Sequence, residues 1–351
     1  MARKKGSRYS GIGGQAVLEG VMMKNKEKYA VAVRKPNGEI QVELENSQGI
    51  LHGSKIKQIP FVRGIFNFID SLMLGMKALN LSASFYDEDE EDGNTQDKGG
   101  EKLMTVIVTV ISIAVALGIF VVLPYFLASL FDSFVRNASL MAIIEGVFRI
   151  VIFLLYVWGI SLVSDIKRLY RYHGAEHKCI NCIEKGRPLT VRNVMRSSRL
   201  HKRCGTSFIF FVLFVSIVLF FFIRVDNVFE KVALRLLLMP VVAGISYEII
   251  RLAGRSDNIF VRIISAPGMW VQRMTTKEPD RDMVEVAIAA VEAVFDWKQY
   301  LYDSFGYEVD DSWLVDEPVE EEEEAEDIVS DEAAVVNESE EFDDTAGPEE
   351  S

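Results

Sequence analysis

The chain has 351 residues, 49% of them hydrophobic, and a formal net charge of −13. Its positive mean hydropathy excludes a uniformly polar chain and leaves a soluble domain or a membrane protein with soluble extensions. The negative charge is concentrated at the C-terminus: from Glu308 onward there are 21 acidic residues and no Lys or Arg, so residues 1–307 have a net charge of +8. Residues 308–351 cannot bury a core, and we predict a disordered acidic tail.

Residues 1–59 are predicted to form a small β-rich cytoplasmic region. Two strand-like runs, Tyr29–Val33 and Glu39–Leu44, flank the sequence Pro36-Asn37-Gly38. An Asn-Gly pair between such runs is a strong signal for a β-hairpin. We therefore expect a hairpin before the hydrophobic part of the chain.

Two segments connect this region to the hydrophobic runs. Residues 60–86 have the pattern of a helix with a broad apolar face, which Arg63, Asp70 and Lys77 interrupt too often for a membrane span. We expect this amphipathic helix to lie along the membrane surface or to pack against the helical bundle. Residues 87–102 are acidic and are predicted to be a linker.

Four long hydrophobic runs follow within residues 103–252. Each is long enough to cross roughly 30 Å of hydrocarbon as a helix, and soluble helices rarely run so far without a polar face. The runs are Leu103–Leu123, Leu140–Val163, Thr206–Ile223 and Val232–Ile250. The predicted fold is mainly α: a four-span transmembrane helical bundle with a small N-terminal β-hairpin region and C-terminal cytoplasmic amphipathic helices.

The amphipathic helices are predicted within residues 253–307. Asn258–Arg273 and Asp280–Leu301 have the pattern of helices with one apolar face. Thr275-Thr276-Lys277-Glu278-Pro279 lies between them. The basic residues that follow the last hydrophobic run favour the cytoplasmic side for both helices.

Basic residues also determine the predicted orientation of the bundle. Within the loop 164–205, the segment Asp165–Arg203 holds eleven Lys and Arg against three acidic residues, and basic loops stay in the cytoplasm. Four crossings return the chain to its starting side, so both termini are predicted to be cytoplasmic. Residues 1–30 lack the apolar core of a cleavable signal peptide. We expect a multi-pass protein of the plasma membrane whose cysteines lie in a reducing compartment.

One stretch between the second and third hydrophobic runs has the residue types of a metal site. It reads His173-Gly174-Ala175-Glu176-His177. Histidines four residues apart face the same way on a helix, so His173 and His177 can hold one divalent ion of the zinc type. Glu176 gives the H-x-x-E-H order of inverted zinc proteases, in which the glutamate acts as general base.

Further ligands are predicted from more distant residues. His201 is expected to complete the metal site, with Cys204 or Glu248 as a fourth ligand. A second arrangement is also open, because Cys179-x-x-Cys182 followed by His201-x-x-Cys204 has the spacing of a structural zinc knuckle. Both arrangements predict a bound divalent metal.

Several motifs resemble those of one bacterial family. They are, in chain order, Gly14-Gln-Ala-Val-Leu-Glu-Gly-Val-Met-Met23, Arg63-Gly64, His173-Gly-Ala-Glu-His-Lys178, His201-x-x-Cys204-Gly-Thr-Ser-Phe208, Tyr247-Glu248, and Pro267-Gly268 with Thr275-Thr276-x-Glu278-Pro279. Over roughly residues 10–300 the chain resembles the YqhQ-like family of uncharacterised bacterial inner-membrane proteins, which are described as metal-dependent enzymes. The site residues that match the family pattern are His173, Glu176, His177, His201 and Cys204. Cys179 and Cys182 depart from that pattern, which weighs against a zinc knuckle that depends on them.

The basic loop is also compatible with functions that need no metal. Histidines at the cytoplasmic end of a helix can complement the helix dipole, and the eleven basic residues favour anionic lipid headgroups. Nucleic acid is not expected as a partner, because the loop is juxtamembrane and lacks interleaved aromatic residues.

Four ionisable residues lie within the hydrophobic runs. Glu145, Arg149, Arg235 and Glu248 are costly in lipid unless they are paired or hydrated. Two glutamates and two arginines can neutralise one another between helices, and we expect such pairing to hold the bundle together. Glu248 is also the residue of this group closest to the predicted histidine site.

The leading hypothesis is a metal-dependent, zinc-type hydrolase of the inner membrane with a cytoplasm-facing site. In it, His173 and His177 bind the ion, His201 completes the site, and Glu176 is the general base. The alternative is a non-enzymatic membrane factor that binds other membrane proteins during insertion, assembly or quality control. Metal content distinguishes the two classes.

Reporter fusions test the predicted topology. A reporter after Gly100 is expected in the cytoplasm, and one within Asp132–Asn137 is expected outside, because a single crossing separates the two positions. Labelling of each fusion in intact cells provides the measurement. Exterior labelling of a reporter within residues 186–196 would contradict both the number of spans and their orientation.

Overall fold

The computed structural model describes residues 8–47, 49–50, 54, 59–87, 98–223, 225, 227–253 and 258–310. In this part of the chain four strands precede a series of α-helices, so the protein is mainly helical with an N-terminal sheet. The strands are β1 (Ile12–Val17), β2 (Gly20–Asn25), β3 (Lys28–Arg34) and β4 (Ile40–Asn46). The helices are α1 (Val62–Asp87), α2 (Lys98–Leu117), α3 (Leu123–Ser129), α4 (Ala138–Ile160), α5 (Ser164–Glu184), α6 (Val191–Met195), α7 (Gly205–Phe221), α8 (Val228–Ala253), α9 (Ile259–Thr275), α10 (Arg281–Val294) and α11 (Trp297–Phe305).

Two predicted segments fall largely outside the described residues. They are most of the acidic linker, residues 88–97, and most of the acidic tail, residues 311–351. The remaining tail residues, 308–310, form no helix or strand.

The N-terminal sheet is an antiparallel meander in the order β1-β2-β3-β4. The predicted hairpin is confirmed as β3 and β4, in which Val31 pairs with Glu43. Its loop contains Gly38 with a φ of 89°, a left-handed conformation that glycine adopts without strain. β1 and β2 extend this hairpin to four strands.

Both faces of the sheet are covered by helices. Side chains alternate along a strand, so Val31 and Val33 point to one face while Ala30 and Ala32 point to the other. The valines pack against Leu74 of α1. The alanines belong to the main core, which α5, α10 and α11 complete. The sheet is therefore a layer between α1 and the α5–α10 pair.

The amphipathic helix predicted for residues 60–86 is confirmed as α1. It packs against α8 as well as against the sheet, and Arg63 of α1 forms a salt bridge with Glu248 of α8. The opposite face of α1 is apolar and exposed, with Leu72 and Met76 both more than half accessible. The helix thus packs against the bundle and keeps an apolar surface.

Three helices among the described residues are long and apolar enough to cross a membrane: Val106–Ser129, Ser139–Ile160 and Phe229–Ala253. The prediction of four spans is therefore confirmed only in part. The remaining hydrophobic run forms α7, which is apolar but 17 residues long. α7 begins no earlier because Cys204, its N-cap residue, has an extended backbone. The first of the three long helices contains a π-helical turn, Gly118–Val122, between α2 and α3.

The ionisable residues within the helices pair differently from the prediction. Glu145 accepts hydrogen bonds from Arg149, one turn further along α4, and from two nitrogens of Arg235 on α8. Glu248 has Arg63 of α1 as its partner instead. The four residues therefore do not form one neutral cluster, because the two glutamates belong to separate ion-pair groups.

The C-terminal helices differ from the prediction in two respects. α9 corresponds to the predicted helix Asn258–Arg273, and it packs against α7 and α8, two contacts that the sequence did not predict. The predicted helix Asp280–Leu301 is two helices, α10 and α11. The extended backbone of Phe295 ends α10, and the Asp296 carboxylate begins α11 by accepting a hydrogen bond from the Gln299 amide.

Truncation of Leu74 tests the packing of α1 on the sheet. Leu74→Ala removes a side chain that is 7% exposed, and we expect it to lower the free energy of unfolding by about 2–5 kcal/mol. Leu72→Ala is the matched control, because that side chain is 56% exposed on the same helix and its loss should change stability by less than about 0.5 kcal/mol. Denaturant unfolding of the detergent-purified variants measures both. Equal effects would contradict the assigned orientation of α1.

Candidate metal centre

α5 brings the two predicted histidine ligands together. A short turn after α4 leads to Val163, whose extended backbone starts a new helix with Asp165 in its first turn, where a negative charge is favourable. His173 and His177 then lie one turn apart, with ring centroids separated by 4.4 Å. The predicted one-sided arrangement of the pair is therefore observed.

Cys204 reaches the same point from another part of the chain. It is the N-cap of α7, and its Sγ lies 3.2 Å from Nε2 of His173. The ligating atoms of His173, His177 and Cys204 all lie within 4.8 Å of one another. The structure thus brings three of the five predicted ligands into one group of two imidazoles and a thiol.

Backbone carbonyls orient both imidazole rings. Nδ1 of His173 lies 3.0 Å from the Thr275 oxygen, and Nδ1 of His177 lies 2.6 Å from the Arg199 oxygen. A carbonyl only accepts hydrogen bonds, so each Nδ1 carries a proton and each neutral ring presents Nε2 as a ligand. Partners of this kind fix the tautomer and ring orientation of histidines that bind metals.

The charges of these groups depend on one another. Burial alone would raise the pKa of the Cys204 thiol, but His173 and His177 outweigh it and hold that pKa well below its usual range. Burial likewise acts to lower the pKa of His173, whereas the neighbouring Cys204 thiolate raises it to about 9. Without a metal, these shifts favour a thiolate on Cys204 next to a protonated His173. Thiolate is the form of cysteine that binds metals.

Glu176 lies beside this group without belonging to it. Its side chain is buried, and the Gly14 backbone contributes a hydrogen bond to the carboxylate. The other oxygen, Oε2, is buried without a hydrogen-bond partner. Burial raises the pKa of Glu176 against the opposing effect of His177 and His173. Since a buried carboxylate oxygen is normally satisfied, this one indicates a position for an additional group.

His201 contributes to the surroundings of the site rather than to the group of ligands. Its ring centroid lies 5.6 Å from that of His177, and its Nε2 lies 3.6 Å from the Glu184 carboxylate. The Gln272 side chain holds the His201 backbone by accepting from its N–H and donating to its oxygen. Burial lowers the pKa of His201. His201 is therefore fixed on its own partners at one side of the centre.

Glu184 organises that side of the centre. It also accepts from the Arg203 guanidinium and from Ser10 of the N-terminal segment. Burial acts to raise its pKa, but the hydrogen bond from His201 and the Arg203 charge hold the pKa at about 2. Glu184 was not predicted. The sequence did contain a signal, since Glu184 lies seven residues after His177 and thus on the same helix face.

The remaining predicted ligands lie elsewhere. Glu248 is not in the group, because its carboxylate is engaged by Arg63, with 2.7 Å between Oε1 and Nε. Cys179 and Cys182 are fully buried in the main core, and burial raises the pKa of both thiols, that of Cys182 to about 12. The zinc-knuckle arrangement is not seen among the described residues, since Cys179 and Cys182 do not join Cys204 in a group of ligating atoms.

The segment after α9 closes the centre on another side. A Cβ atom at Gly174 would lie 2.0 Å from the Lys277 oxygen, so α5 can approach this segment only with a glycine there. Glu278 forms ion pairs with Lys178 and Arg199 across the same contact. The segment Thr275 to Pro279 therefore packs directly on α5 and holds it in place, a contact that its sequence did not predict.

Comparison with known proteins identifies the family of this chain. Residues 59–297 match the family described as "Protein of unknown function (DUF1385)". The chain belongs to this family. It is also 38% identical over 288 residues to the uncharacterised protein YqhQ of Bacillus subtilis (strain 168), a match that covers 79% of this chain and 89% of the relative. No solved structure matches the chain. The resemblance drawn from the sequence is thus confirmed, and it carries no known activity.

In this DUF1385 protein the residues present fit a divalent metal ion. Two neutral imidazoles and a thiolate are the ligand types of zinc sites. The unpartnered oxygen of Glu176 lies next to the ligands rather than among them, where it can accept a proton or a hydrogen bond from a further group. The arrangement therefore combines three atoms of ligating type with one unpartnered carboxylate oxygen among the described residues.

Titration of Cys204 tests the electrostatics of the centre. In chelator-treated protein carrying Cys179→Ala and Cys182→Ala, the single thiol should ionise well below the ordinary pKa of cysteine, and His173→Ala should raise that pKa. Ultraviolet absorbance of the thiolate against pH measures it, with His201→Ala as the control that leaves it nearly unchanged. The pKa of Cys204 is lower in the folded state than in the unfolded state, so ionisation of its thiol stabilises the fold. This stabilisation is complete above the unfolded-state pKa and is lost as the pH falls through the folded-state pKa. A thiol that titrates like free cysteine would contradict this account.

Proposed function

We propose that this protein is a metal-dependent hydrolase of the bacterial inner membrane whose zinc-type site faces the cytoplasm. The observation that carries the proposal is the convergence of His173, His177 and Cys204 on one point beside the unpartnered oxygen of Glu176. Zinc bound by three protein ligands keeps a fourth position open, as catalytic zinc sites do. A structural site would instead be closed by a fourth side chain.

The proposed roles follow from the contacts of each residue. His173, His177 and Cys204 hold the ion, and Glu176 acts as general base, because burial raises its pKa towards the range in which a carboxylate exchanges protons near neutral pH. The bound ion would lower the pKa of a water molecule and polarise a carbonyl or phosphoryl oxygen. His201 and its partner Glu184 position the neighbouring side chains.

The packing of the soluble elements supports four crossings. β2 and β3 pack against α10, so the chain must be on the same side of the membrane before α2 and after α9. α5 packs on β1 and on α10 as well, so the chain must have returned to that side after α4. Two crossings before α5 and two after it are consistent with both contacts, and we therefore propose α7 as the third span.

The length of α7 is compatible with this role. Its 17 residues correspond to about 25 Å of helix, and a short span is accommodated by local thinning of the bilayer at modest cost. The basic residues of Asp165–Arg203 favour the cytoplasm for the side that carries the metal centre. The same residues make anionic lipid headgroups the expected partners at this surface.

Elemental analysis of the detergent-purified protein tests the proposal. Wild type should contain about one zinc per chain, whereas His177→Ala and Cys204→Ser should contain little, because each loses one of three ligands. Glu176→Gln should keep the metal, since it removes a base and not a ligand. The matched control is Cys179→Ala with Cys182→Ala, which removes two thiols of the core and should leave zinc unchanged.

Hydrolysis of p-nitrophenyl acetate and p-nitrophenyl phosphate provides the second readout. Activity that needs zinc and falls at least tenfold in Glu176→Gln supports the proposal. Activity that survives chelation but disappears in Cys204→Ser would instead indicate a thiol nucleophile activated by His173. Protein without metal and without activity would favour the alternative class, a membrane factor that binds other membrane proteins.

A further inference from the structure

A second cluster of charges lies inside the helical bundle, away from the metal centre. Glu145 and Arg149 of α4 and Arg235 of α8 are each at most 6% exposed. Glu145 accepts from Arg149 at 2.7 Å and from Arg235 at 2.6 and 2.8 Å. One carboxylate thus faces two guanidinium groups, and the cluster has a net charge of +1.

The surroundings compensate for this charge only in part. Arg149 also donates to the Ser216 hydroxyl and to the carbonyl oxygen of Phe120, within the π-helical turn. Both guanidinium groups lie over the Phe220 ring, at 5.4 and 5.1 Å. These are neutral groups, and an unbalanced charge among apolar helices is costly unless it is paired or hydrated.

Arg235 has donor capacity that the protein does not use. Its Nε is buried and has no hydrogen-bond partner within the part of the chain that the structure describes, while its two terminal nitrogens bind Glu145. A guanidinium presents donors in a planar fork that matches an oxyanion. Arg235 therefore has both a hydrogen-bond donor that is not used and part of the excess positive charge of the cluster.

A further positive charge, that of Lys231, lies between the start of α8 and Arg235. Lys231 lies one turn before Arg235, on the same helix face, and its ammonium is positioned over the Tyr125 ring of α3 at 5.3 Å. Arg235 lies seven residues from the first residue of α8, or about 10 Å along the helix. An anionic group at the membrane boundary is therefore within a short distance of the cluster.

We propose that Arg149 and Arg235 form a binding site for a single oxyanion of the phosphate type inside the helical bundle, with the Glu145 carboxylate holding the two guanidinium groups in position. The anion pairs with the excess charge and accepts from Nε of Arg235. Two sources share this chemistry: free phosphate and the phosphodiester headgroup of an anionic lipid. The site is independent of the proposed hydrolase, since none of its residues contacts the metal ligands.

Thermal unfolding of detergent-purified protein in phosphate-free buffer tests the proposal. Inorganic phosphate is titrated in one arm and a short-chain phosphatidylglycerol in the other, with sodium chloride and short-chain phosphatidylcholine as the matched controls. We expect a saturable rise in Tm in one arm, or else a copurified phospholipid that native mass spectrometry detects on wild type. A response to phosphate alone assigns the site to the free ion, and a response to phosphatidylglycerol or a copurified lipid assigns it to a headgroup.

Variants separate a binding site from a purely structural ion cluster. Arg235→Gln should lose the Tm response and the copurified lipid, and Arg235→Lys, which keeps the charge but not Nε, should weaken binding at least tenfold. Glu145→Gln keeps an oxygen that accepts from the guanidinium groups but removes the negative charge that opposes an anion, so it should tighten binding at least tenfold even though it lowers the basal Tm. Lys298→Gln, on α11 far from the bundle, should respond as wild type does. Wild type with neither response nor copurified lipid, or an equal response in Arg235→Gln, would overturn the proposal.

Discussion

The close approach of α5 to the segment after α9 is the constraint on which the candidate centre depends. There is no space for a side chain at Gly174, since a Cβ atom would meet the Lys277 oxygen at 2.0 Å. Because the two backbones touch there, the Thr275 oxygen reaches His173 and Glu278 reaches Lys178. A larger residue would separate α5 from this segment and remove the carbonyl that orients the first histidine.

Two of the buried groups of charges are balanced differently. At the candidate centre, the pKa shifts favour a thiolate on Cys204 beside a protonated His173, and Oε2 of the nearby Glu176 has no hydrogen-bond partner among the described residues. In the bundle, one carboxylate is paired with two guanidinium groups, so this cluster has a net charge of +1. A buried charge is stable only when its partners are complete. The cluster in the bundle therefore lacks one negative charge, which an anion would supply. At the candidate centre a metal cation would take the place of the imidazolium proton, because a ring binds a metal only in its neutral form.

The candidate centre connects the sheet layer to the helical bundle. α5 contributes one face to the core beneath the sheet and another to the candidate ligands His173 and His177. α7 begins at Cys204, so a hydrophobic helix starts directly at a ligand. A shift of α7 relative to α5 would thus move the Cys204 thiol relative to His173 and His177, because Cys204 is directly joined to the first residue of α7.

Local pattern alone determined several features of this protein. The Asn-Gly hairpin, the apolar helix α1 and the long hydrophobic helices depend on interactions between residues close in sequence, as does the pairing of His173 with His177 on one helix face. The same periodicity separates the cysteines from the site: at about 100° per residue, Cys179 and Cys182 lie on the far side of α5 from His173 and His177. Their placement in the core was therefore implicit in the sequence, although spacing alone suggested a zinc knuckle.

Only the tertiary structure decided which distant residues join the histidines. The sequence predicted that His201 completes the site, with Cys204 or Glu248 as a fourth ligand, but it does not determine which of these distant side chains reaches the histidines of α5. In the folded chain Cys204 caps α7 beside His173, while Glu184 and Arg63 engage the other two side chains. The tertiary structure also decided how the charged residues of the bundle pair: Glu145 binds two arginines, and Glu248 binds Arg63 of α1. Long-range contacts of this kind depend on the whole arrangement of helices, so no local pattern contains them.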